Sequence, residues 1–437
     1  MRTGRRGSPS GTVPSHRSFL SAGRPGTAPP ALVGPGRGAT VPPRSPPLLS
    51  PTFVPACRAP ARRPPVIGRR DESEVPLVHP QHRRAGAPGH RGDDTTAGWG
   101  SVEYSTALAH AAEAHGWSGA LLGTGWGRPD TFTVATALAA RTTTFEPLIA
   151  VRPGYWQPAQ FAGAAATLDQ LSRGRALFNI VSGADDVGAY GDTTVEPARR
   201  YARTREFLYL LRRLWTEEDV TYSGKFFQVT GSTVAPRPYA AGGRAHPTLY
   251  FGGASPAAER VSAAEADVQL FWGEPLDGVA RRIERLRALS GEVGRRHKPL
   301  EYGLRITTLV RDTTEEAWQA AEEKVAALAA SDGAAWTGHR GAVGQRRLLD
   351  LATRGEVLDT CLYTTPGWYG AAGAATTWLV GSPGDVATAL EGYRKLGITH
   401  FILSDTPYQQ EISRIGDQVL PLLRAGSRPR EGGVRTP

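Results

Sequence analysis

The chain has 437 residues, 40% of them hydrophobic and 21% charged, which is enough for one large domain with extensions. The net charge of +10 comes from the first 100 residues, with 15 arginines and 5 acidic residues, because the remainder has 36 basic and 36 acidic residues. This balance argues against a nucleic-acid partner for the folded part. No apolar run reaches the roughly 20 residues that span a bilayer, so no membrane association is predicted.

The two cysteines, Cys57 and Cys361, belong to no cysteine–histidine motif. The sequence therefore predicts neither a disulfide framework nor a metal site. The basic N-terminus is not followed by the apolar core of a secretory signal, so we expect none, and a cytoplasmic location fits.

Residues 1–73 are dominated by proline, glycine, serine and arginine, and 18 of the 35 prolines fall within the first 100 positions. Such a composition buries too little apolar surface to offset the entropy of ordering, so it predicts a disordered segment. We interpret it as an unstructured extension or as sequence upstream of the true start, rather than as a basic tail that binds an acidic partner. Residues 426–437 are predicted to be a disordered tail.

From Tyr104 onward, helical patterns alternate with short apolar strands. The predicted helices are Tyr104–His115, Asp130–Arg141, Gln157–Leu171, Glu196–Leu214, Pro256–Ala266, Leu276–Leu289, Thr314–Ala330, Gly344–Ala352 and Gly384–Leu396. The predicted strands are Ala120–Leu122, Leu148–Val151, Ala176–Val181, Leu249–Phe251, Val268–Phe271, Glu301–Val310, Thr377–Val380 and Phe401–Leu403. This order is typical of βαβ units in a parallel sheet.

The number and length of these units favour a closed (β/α)8 TIM barrel over an open doubly wound sheet, within one domain spanning residues 74–425. Its first strand has one candidate, Val75–Val78, which is followed by turn-forming sequence. Residues 331–376 are rich in glycine and alanine and predict an insertion over the barrel mouth.

The residues that follow the predicted strands are where a barrel places its active site. They are rich in glycine, tryptophan, serine and arginine, and they contain no paired carboxylates, metal-ligand cluster or GxSxG motif. These groups suit a site that holds a flat aromatic cofactor and an anion.

Two features of these strand ends point to anion binding. Ser255 and Pro256 fit the N-cap and first position of a helix after two glycines, which predicts either a phosphate site or a plain capped turn. Arg305 lies in mid-strand with Thr307 on the same face, so it is either part of a structural ion pair or a contact for an anionic ligand. Trp272 fits either a pocket wall or the core.

Several segments together resemble the flavin-dependent alkanesulfonate monooxygenases of the bacterial-luciferase-like group. The segments, in chain order, are Leu168–Gly183 (LDQLSRGRALFNIVSG), Arg200-Tyr201, Tyr250–Ser255 (YFGGAS), Trp272–Pro275 (WGEP), Gly303–Arg305 and Gly397–Ser404. The resemblance runs in order from about residue 104 to 424.

This resemblance implies an FMN-dependent monooxygenase on a luciferase-like TIM barrel. Reduced FMN (FMNH2) would be delivered by a separate NAD(P)H:FMN reductase, and O2 would be the co-substrate. An alkanesulfonate would be converted to an aldehyde and sulfite, and the protein would be a homo-oligomer, a dimer or a tetramer.

The resemblance also implies roles for individual residues. Carried over, the FMN phosphate would be held by Tyr201 and Ser255 with Gly253 in the same loop, and the ring would lie near Asn179 and Ser182. The catalytic positions would be Arg305, against the substrate anion, and His82, at the end of the first strand. The substrate pocket would include Trp272, Arg128, Thr307 and Thr406.

The chain departs from the family at positions tied to substrate. Arg128 stands where the family has a cysteine, Thr307 where it has a histidine, and Thr406 where it has a tyrosine. The arginine of the family's mobile loop aligns with Ala372. The resemblance therefore defines the class of enzyme more closely than its substrate.

Other functions fit the same sequence. A luciferase-like monooxygenase could act on a sulfone or another hydrophobic molecule, and a deazaflavin-dependent oxidoreductase could share the fold. A non-catalytic flavin-binding homologue is less consistent with the retained Tyr201, Ser255 and Arg305. Nucleic-acid binding through residues 1–73 would require a salt-dependent affinity.

Overall fold

The computed structural model describes residues 76–79, 101–125, 129–182, 187–192, 199–240, 243–331, 343–369 and 376–426. The predicted disordered segment 1–73 lies outside these ranges, and so does the predicted tail 426–437 apart from Gly426, which ends a helix.

Helices and strands alternate along most of the described chain. The strands are β1 (Pro76–His79), β2 (Gly119–Leu122), β3 (Glu146–Val151), β4 (Leu177–Ile180), β5 (Val220–Ser223), β6 (Gln228–Ser232), β7 (Thr248–Gly252), β8 (Val268–Trp272), β9 (Glu301–Val310), β10 (Val357–Leu358), β11 (Leu362–Tyr363), β12 (Trp378–Gly381) and β13 (Ile398–Ser404). The helices are α1 (Val102–Ala114), α2 (Thr131–Arg141), α3 (Pro158–Leu171), α4 (Arg200–Thr216), α5 (Pro256–Glu265), α6 (Leu276–Glu292), α7 (Thr314–Ser331), α8 (Val343–Arg354), α9 (Pro383–Leu396), α10 (Tyr408–Gln418) and α11 (Leu420–Gly426). No helix in these ranges is both long enough and apolar enough to cross a membrane.

Eight parallel strands close into a barrel in the order β1-β2-β3-β4-β7-β8-β9-β13, with β13 pairing with β1. The predicted (β/α)8 barrel is therefore confirmed. The first strand forms one residue later than the candidate Val75–Val78, and Leu77 pairs in register with Ala120 of β2 and Leu403 of β13.

Strand β9 is shared between the barrel and the insertion. Its first half, Glu301–Arg305, pairs with β8, and its second half, Thr307–Val310, pairs with β12 on the same edge. On its other edge, β12 pairs antiparallel with β11, and β11 in turn pairs antiparallel with β10. The predicted insertion at 331–376 therefore extends the sheet above the barrel, and its described part contains α8, β10 and β11.

The sequence patterns missed six strands and helices, which are β5, β6, β10, β11, α10 and α11. The hairpin β5–β6 has few buried side chains, so its sequence lacks the alternation of a half-buried strand. Helix α10 has a narrow apolar stripe around Ile412 and Ile415 between polar residues, and α11 is a short extension of seven residues.

Helix α1 is tied to the turn between α2 and β3 by Glu113. Its Oε1 accepts backbone N–H groups from Thr143 at 2.8 Å and Phe145 at 2.9 Å, and also from Thr144. Burial disfavours the charged form, but the hydrogen bonds from the turn outweigh burial and lower the pKa of Glu113 from 4.5 to about 2. The carboxylate therefore stabilises the fold while it is ionised.

We expect Glu113→Gln to lower the free energy of unfolding by roughly 2 kcal/mol at pH 7, because a neutral amide oxygen is a weaker acceptor for these N–H groups. Since the folded pKa lies below the unfolded one, the stabilisation is complete above pH 4.5 and is lost as the pH falls towards 2. Urea unfolding between pH 7 and pH 3 measures the difference. Glu103→Gln, at an exposed position of α1, is the control, and a difference that does not shrink with acid contradicts this role.

Candidate active site

The carboxyl ends of the eight parallel strands open on one face of the barrel, which forms the mouth of the candidate site. The interior below this mouth is filled by Leu121, Leu148, Leu177, Tyr250, Val268, Leu270 and Ile402. Asn179 and Trp272 lie two residues beyond Leu177 and Leu270, so both face the interior one layer higher.

Arg305 and Thr307 complete this upper layer from β9. Arg305 pairs in register with Trp272 of β8 and with Ile402 of β13, and Ile402 lies in the interior cluster. Arg305 therefore faces inward beside Trp272, and it is half-buried. Thr307 follows on the same face opposite Ser404 and is buried.

At the end of β4, Asn179 and Ser182 offer hydrogen-bond acceptors. Asn179 is buried, and its Oδ1 has no hydrogen-bond partner within the described part of the chain. Ser182 Oγ lies 2.5 Å from Thr204 Oγ1, and the Thr204 hydroxyl donates to the carbonyl of Arg200 at 2.9 Å. The Ser182 proton is thus directed to Thr204, which leaves its oxygen able to accept.

Helix α4 is fixed at the mouth by a buried ion pair. Arg203 donates to Asp192 through two bonds of 2.7 and 2.6 Å. Gly154, after β3, has a positive φ of 110°, and a side chain there would start 2.6 Å from Arg203 and from Asp192. The loop after β3 therefore needs glycine in order to pack on this pair.

The Gly253–Ser255 loop has the geometry that its sequence predicts. Ser255 is the N-cap of α5, and its Oγ accepts the N–H of Ala258 at 3.2 Å, so its own proton is available to a ligand. A Cβ on Gly253 would lie 2.5 Å from the Cβ of Ala258, so glycine permits the close approach of the loop to the helix. Such a helix N-terminus suits a phosphate.

Tyr201 and Ser255 lie at the same level of the barrel. The guanidinium of Arg212 on α4 donates to the carbonyl of Glu265 at the end of α5, at 2.6 and 3.1 Å. From that contact, Tyr201 is 11 residues back along α4 and Ser255 is 10 back along α5, so they rise by about 16.5 and about 15 Å at 1.5 Å per residue. The first turns of both helices therefore flank one place on the rim.

Arg282 joins the Gly253 loop to the segment after β8. Its side chain is buried and donates to Glu259 at 2.8 Å, to the carbonyl of Gly253 at 2.7 Å, and to Glu274. Glu274 is also buried, and it contacts Arg347 of α8. The Gly253–Ser255 loop, the end of β8 and the insertion are therefore connected by charged contacts.

Helix α8 covers part of the mouth next to Trp272. A Cβ on Gly344 would lie 3.2 and 3.3 Å from ring carbons Cε3 and Cζ3 of Trp272, so the helix backbone lies directly against the indole. This agrees with the expected position of the insertion over the barrel.

Thr406 lies at the end of β13 beside a buried charged cluster. Its carbonyl accepts from Lys324 at 2.8 Å, and Lys324 also contacts Asp405 at 2.5 Å. Burial and the neighbouring Asp405 carboxylate raise the pKa of Glu411 to about 7, although Arg311 lies 3.3 Å from it. The hydroxyl of Thr406 is outside this set of contacts.

Three positions singled out from the sequence, His82, Arg128 and Ala372, lie outside the described residues. Their predicted roles remain predictions. Among the residues that are described, no group of three or more histidine, cysteine or acidic side chains is arranged to hold a metal ion.

Sequence reasoning missed several residues that shape the site. Thr204 and Asp192 act through contacts that no local motif reveals. Arg347 lies 73 residues from Glu274 in the chain, so only the fold shows that they meet. The WGEP segment, which contains Glu274, was the one available signal for this contact.

Residues 85–400 match the family profile described as luciferase-like monooxygenase. Among solved structures, riboflavin lyase, determined with a modified FMN and riboflavin, shares 21% identity with a TM-score of 0.64, covering 81% of this chain and 92% of that one. DmoA from Hyphomicrobium sulfonivorans shares 17% identity with a TM-score of 0.65, covering 83% and 90%. EDTA monooxygenase from Chelativorans sp. BNC1 shares 18% identity with a TM-score of 0.65, covering 82% and 95%.

Proposed function

Since the chain belongs to the luciferase-like monooxygenase family, we propose that it is a monooxygenase that uses reduced FMN and O2 to oxygenate a small organic molecule. The proposed substrate is an alkanesulfonate, which would yield an aldehyde and sulfite. One observation supports the proposal most directly. The upper interior layer combines Trp272 and the half-buried Arg305 with Asn179 Oδ1, an acceptor that has no partner among the described residues.

The residues present fit a flavin mononucleotide. A buried acceptor without a partner costs about 1–3 kcal/mol, and the N–H groups of an isoalloxazine ring would satisfy Asn179 Oδ1 and Ser182 Oγ. The N-terminus of α5, with the hydroxyl proton of Ser255, suits the phosphate, and Tyr201 flanks the same place on the rim. The two sets of residues stand on neighbouring strands, because β4 pairs with β7 and β7 leads into α5.

The bound flavin supplies the electrons that activate O2, and the protein supplies binding and orientation. Arg305 would hold the anionic head of the substrate, since a guanidinium matches the geometry of a sulfonate. Trp272 would line the apolar part of the pocket and exclude water. Thr307 Oγ1 has no partner in the described ranges and would donate to a substrate oxygen.

The partners follow from this reaction. A separate NAD(P)H:FMN reductase would supply the reduced flavin in the cytoplasm, and the active form would be a homo-oligomer, a dimer or a tetramer. These are proposals that rest on the likeness to alkanesulfonate monooxygenases.

The proposal predicts that the full-length protein binds reduced FMN without O2, and that an O2 pulse releases sulfite only when octanesulfonate is present. Asn179→Leu should weaken flavin binding about 10-fold while leaving the flavin-free protein as stable or more stable, since it removes a buried acceptor that finds no partner in the described part of the chain. Anaerobic flavin titration and thermal unfolding measure the two effects. Thr308→Val removes a buried hydroxyl from the outer face of β9 and is the control.

The other results would redirect the proposal. Flavin binding without sulfite would leave the class of enzyme standing and reject the sulfonate, so dialkyl sulfones would be tested next. Binding of reduced F420 instead of FMN would favour a deazaflavin enzyme, because two F420-dependent enzymes share this fold with TM-scores of 0.57. Binding of neither would reject the proposed function.

A further inference from the structure

Helix α8 contacts the segment after β8 at two points. Gly344 lies against the ring of Trp272, and one turn later Arg347 contacts Glu274. Residues three apart on a helix share a face, so a single face of α8 meets Trp272 and Glu274 together.

The second contact is fixed from below. Glu274 is held by Arg282 and by the hydroxyl of Tyr393, which donates to the Glu274 carbonyl at 2.6 Å. The Glu274 side chain is 3% exposed and that of Arg347 is 29% exposed. Arg347 therefore links the insertion to a buried carboxylate of the barrel, Glu274, that Arg282 already holds in place.

We propose that α8 is a wall of the substrate pocket, in which Gly344 determines the position of the Trp272 ring and Arg347 positions the helix through Glu274. The inference rests on the proposed function, because it assigns the substrate's alkyl chain to the inward-facing part of that ring. Gly344 is thus a specificity-determining residue, and Arg347 is a positioning residue.

The physical reason lies in the distances at Gly344. A Cβ at 3.2–3.3 Å from the ring carbons is closer than nine in ten real Cβ contacts, so a methyl group at this position pushes the two apart by a few tenths of an ångström and a larger side chain pushes them further. Helix α8 is held by the ion pair of Arg347 with Glu274, so we expect the Trp272 ring to be the part that moves, away from α8 and into the proposed pocket. The pocket then becomes narrower, and long alkyl chains are affected more than short ones.

The first experiment is a series of Gly344→Ala and Gly344→Val, assayed with ethanesulfonate, octanesulfonate and decanesulfonate. We expect Gly344→Val to lower kcat/KM for decanesulfonate about 10-fold, and that for ethanesulfonate less than about 2-fold. Adding Trp272→Phe to Gly344→Val should restore kcat/KM for decanesulfonate, because the smaller ring leaves room for the new side chain. Gly163→Ala, a helical glycine of α3 with open space around it, is the control for added helix propensity.

The second experiment tests the anchor. Arg347→Met should raise the amide hydrogen exchange of α8 at least 10-fold and raise KM for octanesulfonate more than it lowers kcat, because Glu274 keeps Arg282 and the barrel stays folded. Arg354→Met, on the same helix, breaks an exposed ion pair to Asp277 at 3.4 Å and should change neither quantity.

If kcat/KM of the Gly344 variants is unchanged for every sulfonate, or falls equally for all of them, α8 is not a wall of the substrate pocket. Unchanged exchange of α8 in Arg347→Met overturns the anchor. If the wild type binds reduced FMN but releases no sulfite, turnover of sulfonates is rejected and the class of enzyme stands. Calorimetry then measures the affinity of the flavin-loaded variants for the same sulfonates. An affinity loss that grows with chain length supports α8 as the pocket wall, and no such trend contradicts it.

Discussion

Arg282→Met is expected to lower the free energy of unfolding by about 3–5 kcal/mol. The guanidinium is 4% exposed and lies between the buried carboxylates of Glu259 and Glu274, which are 2% and 3% exposed. The variant leaves each carboxylate with one, more exposed, arginine, and it leaves the carbonyl of Gly253 without its donor. Urea unfolding of the flavin-free protein measures the loss.

A matched control stands at the neighbouring position. Arg281 on the same helix is 64% exposed and pairs with Asp277 at 2.8 Å, so Arg281→Met should cost less than about 1 kcal/mol. Arg282→Lys should recover only part of the stability, because a single ammonium cannot bridge two carboxylates and a carbonyl. If the Arg281 and Arg282 variants lose the same free energy of unfolding, the buried cluster of Arg282, Glu259 and Glu274 does not stabilise the fold as proposed.

Arg305→Met is expected to reduce kcat/KM for octanesulfonate about 10²- to 10³-fold, as is typical when a charge that binds a substrate anion in a desolvated site is lost. The dissociation constant of reduced FMN should change less than about 3-fold, since Asn179, Ser182 and the α5 N-terminus lie on other strands and helices. Steady-state sulfite release with a supplied reductase measures the first effect, and anaerobic titration measures the second.

A neutral substrate separates a binding role from a structural one. With a dialkyl sulfone of the same length as substrate, Arg305→Met should lose little of the activity that the wild type has. With the sulfonate, Arg305→Lys should be more active than Arg305→Met. Equal losses for both substrates, together with a lower melting temperature, would show that Arg305 serves the structure of the barrel rather than the substrate.

The sequence revealed the barrel because its strands are buried on both sides. The run Leu148–Val151 is apolar along its length, Glu301–Val310 is buried at eight of its ten positions, and helices of ordinary length separate the strands, which is the pattern of a parallel sheet. The candidate Val75–Val78 overlaps the first strand, Pro76–His79, which fills the place that the barrel needs between β13 and β2.

The site was harder to infer for a physical reason. Backbone features such as the Ser255 cap depend on adjacent residues, and the sequence predicted them. Contacts between distant side chains depend on the fold, and this is why the roles of Thr204, Glu274 and Arg347 escaped notice. Gly344 was visible only as the start of a predicted helix, because a close contact made by the absence of a side chain leaves no chemical signature.

Strand β9 changes its pairing partner along one edge, from β8 in its lower half to β12 in its upper half. We call the point of change, between Arg305 and Thr307, the seam. Ring closure depends on the lower half, which pairs with β8 and β13, whereas the upper half supports the insertion. Changes above the seam can therefore reshape the pocket without opening the barrel. Such a division allows selection to alter substrate choice through β12 and α8 while the hydrogen bonds that close the ring are kept, and one scaffold can in this way diversify at its upper rim.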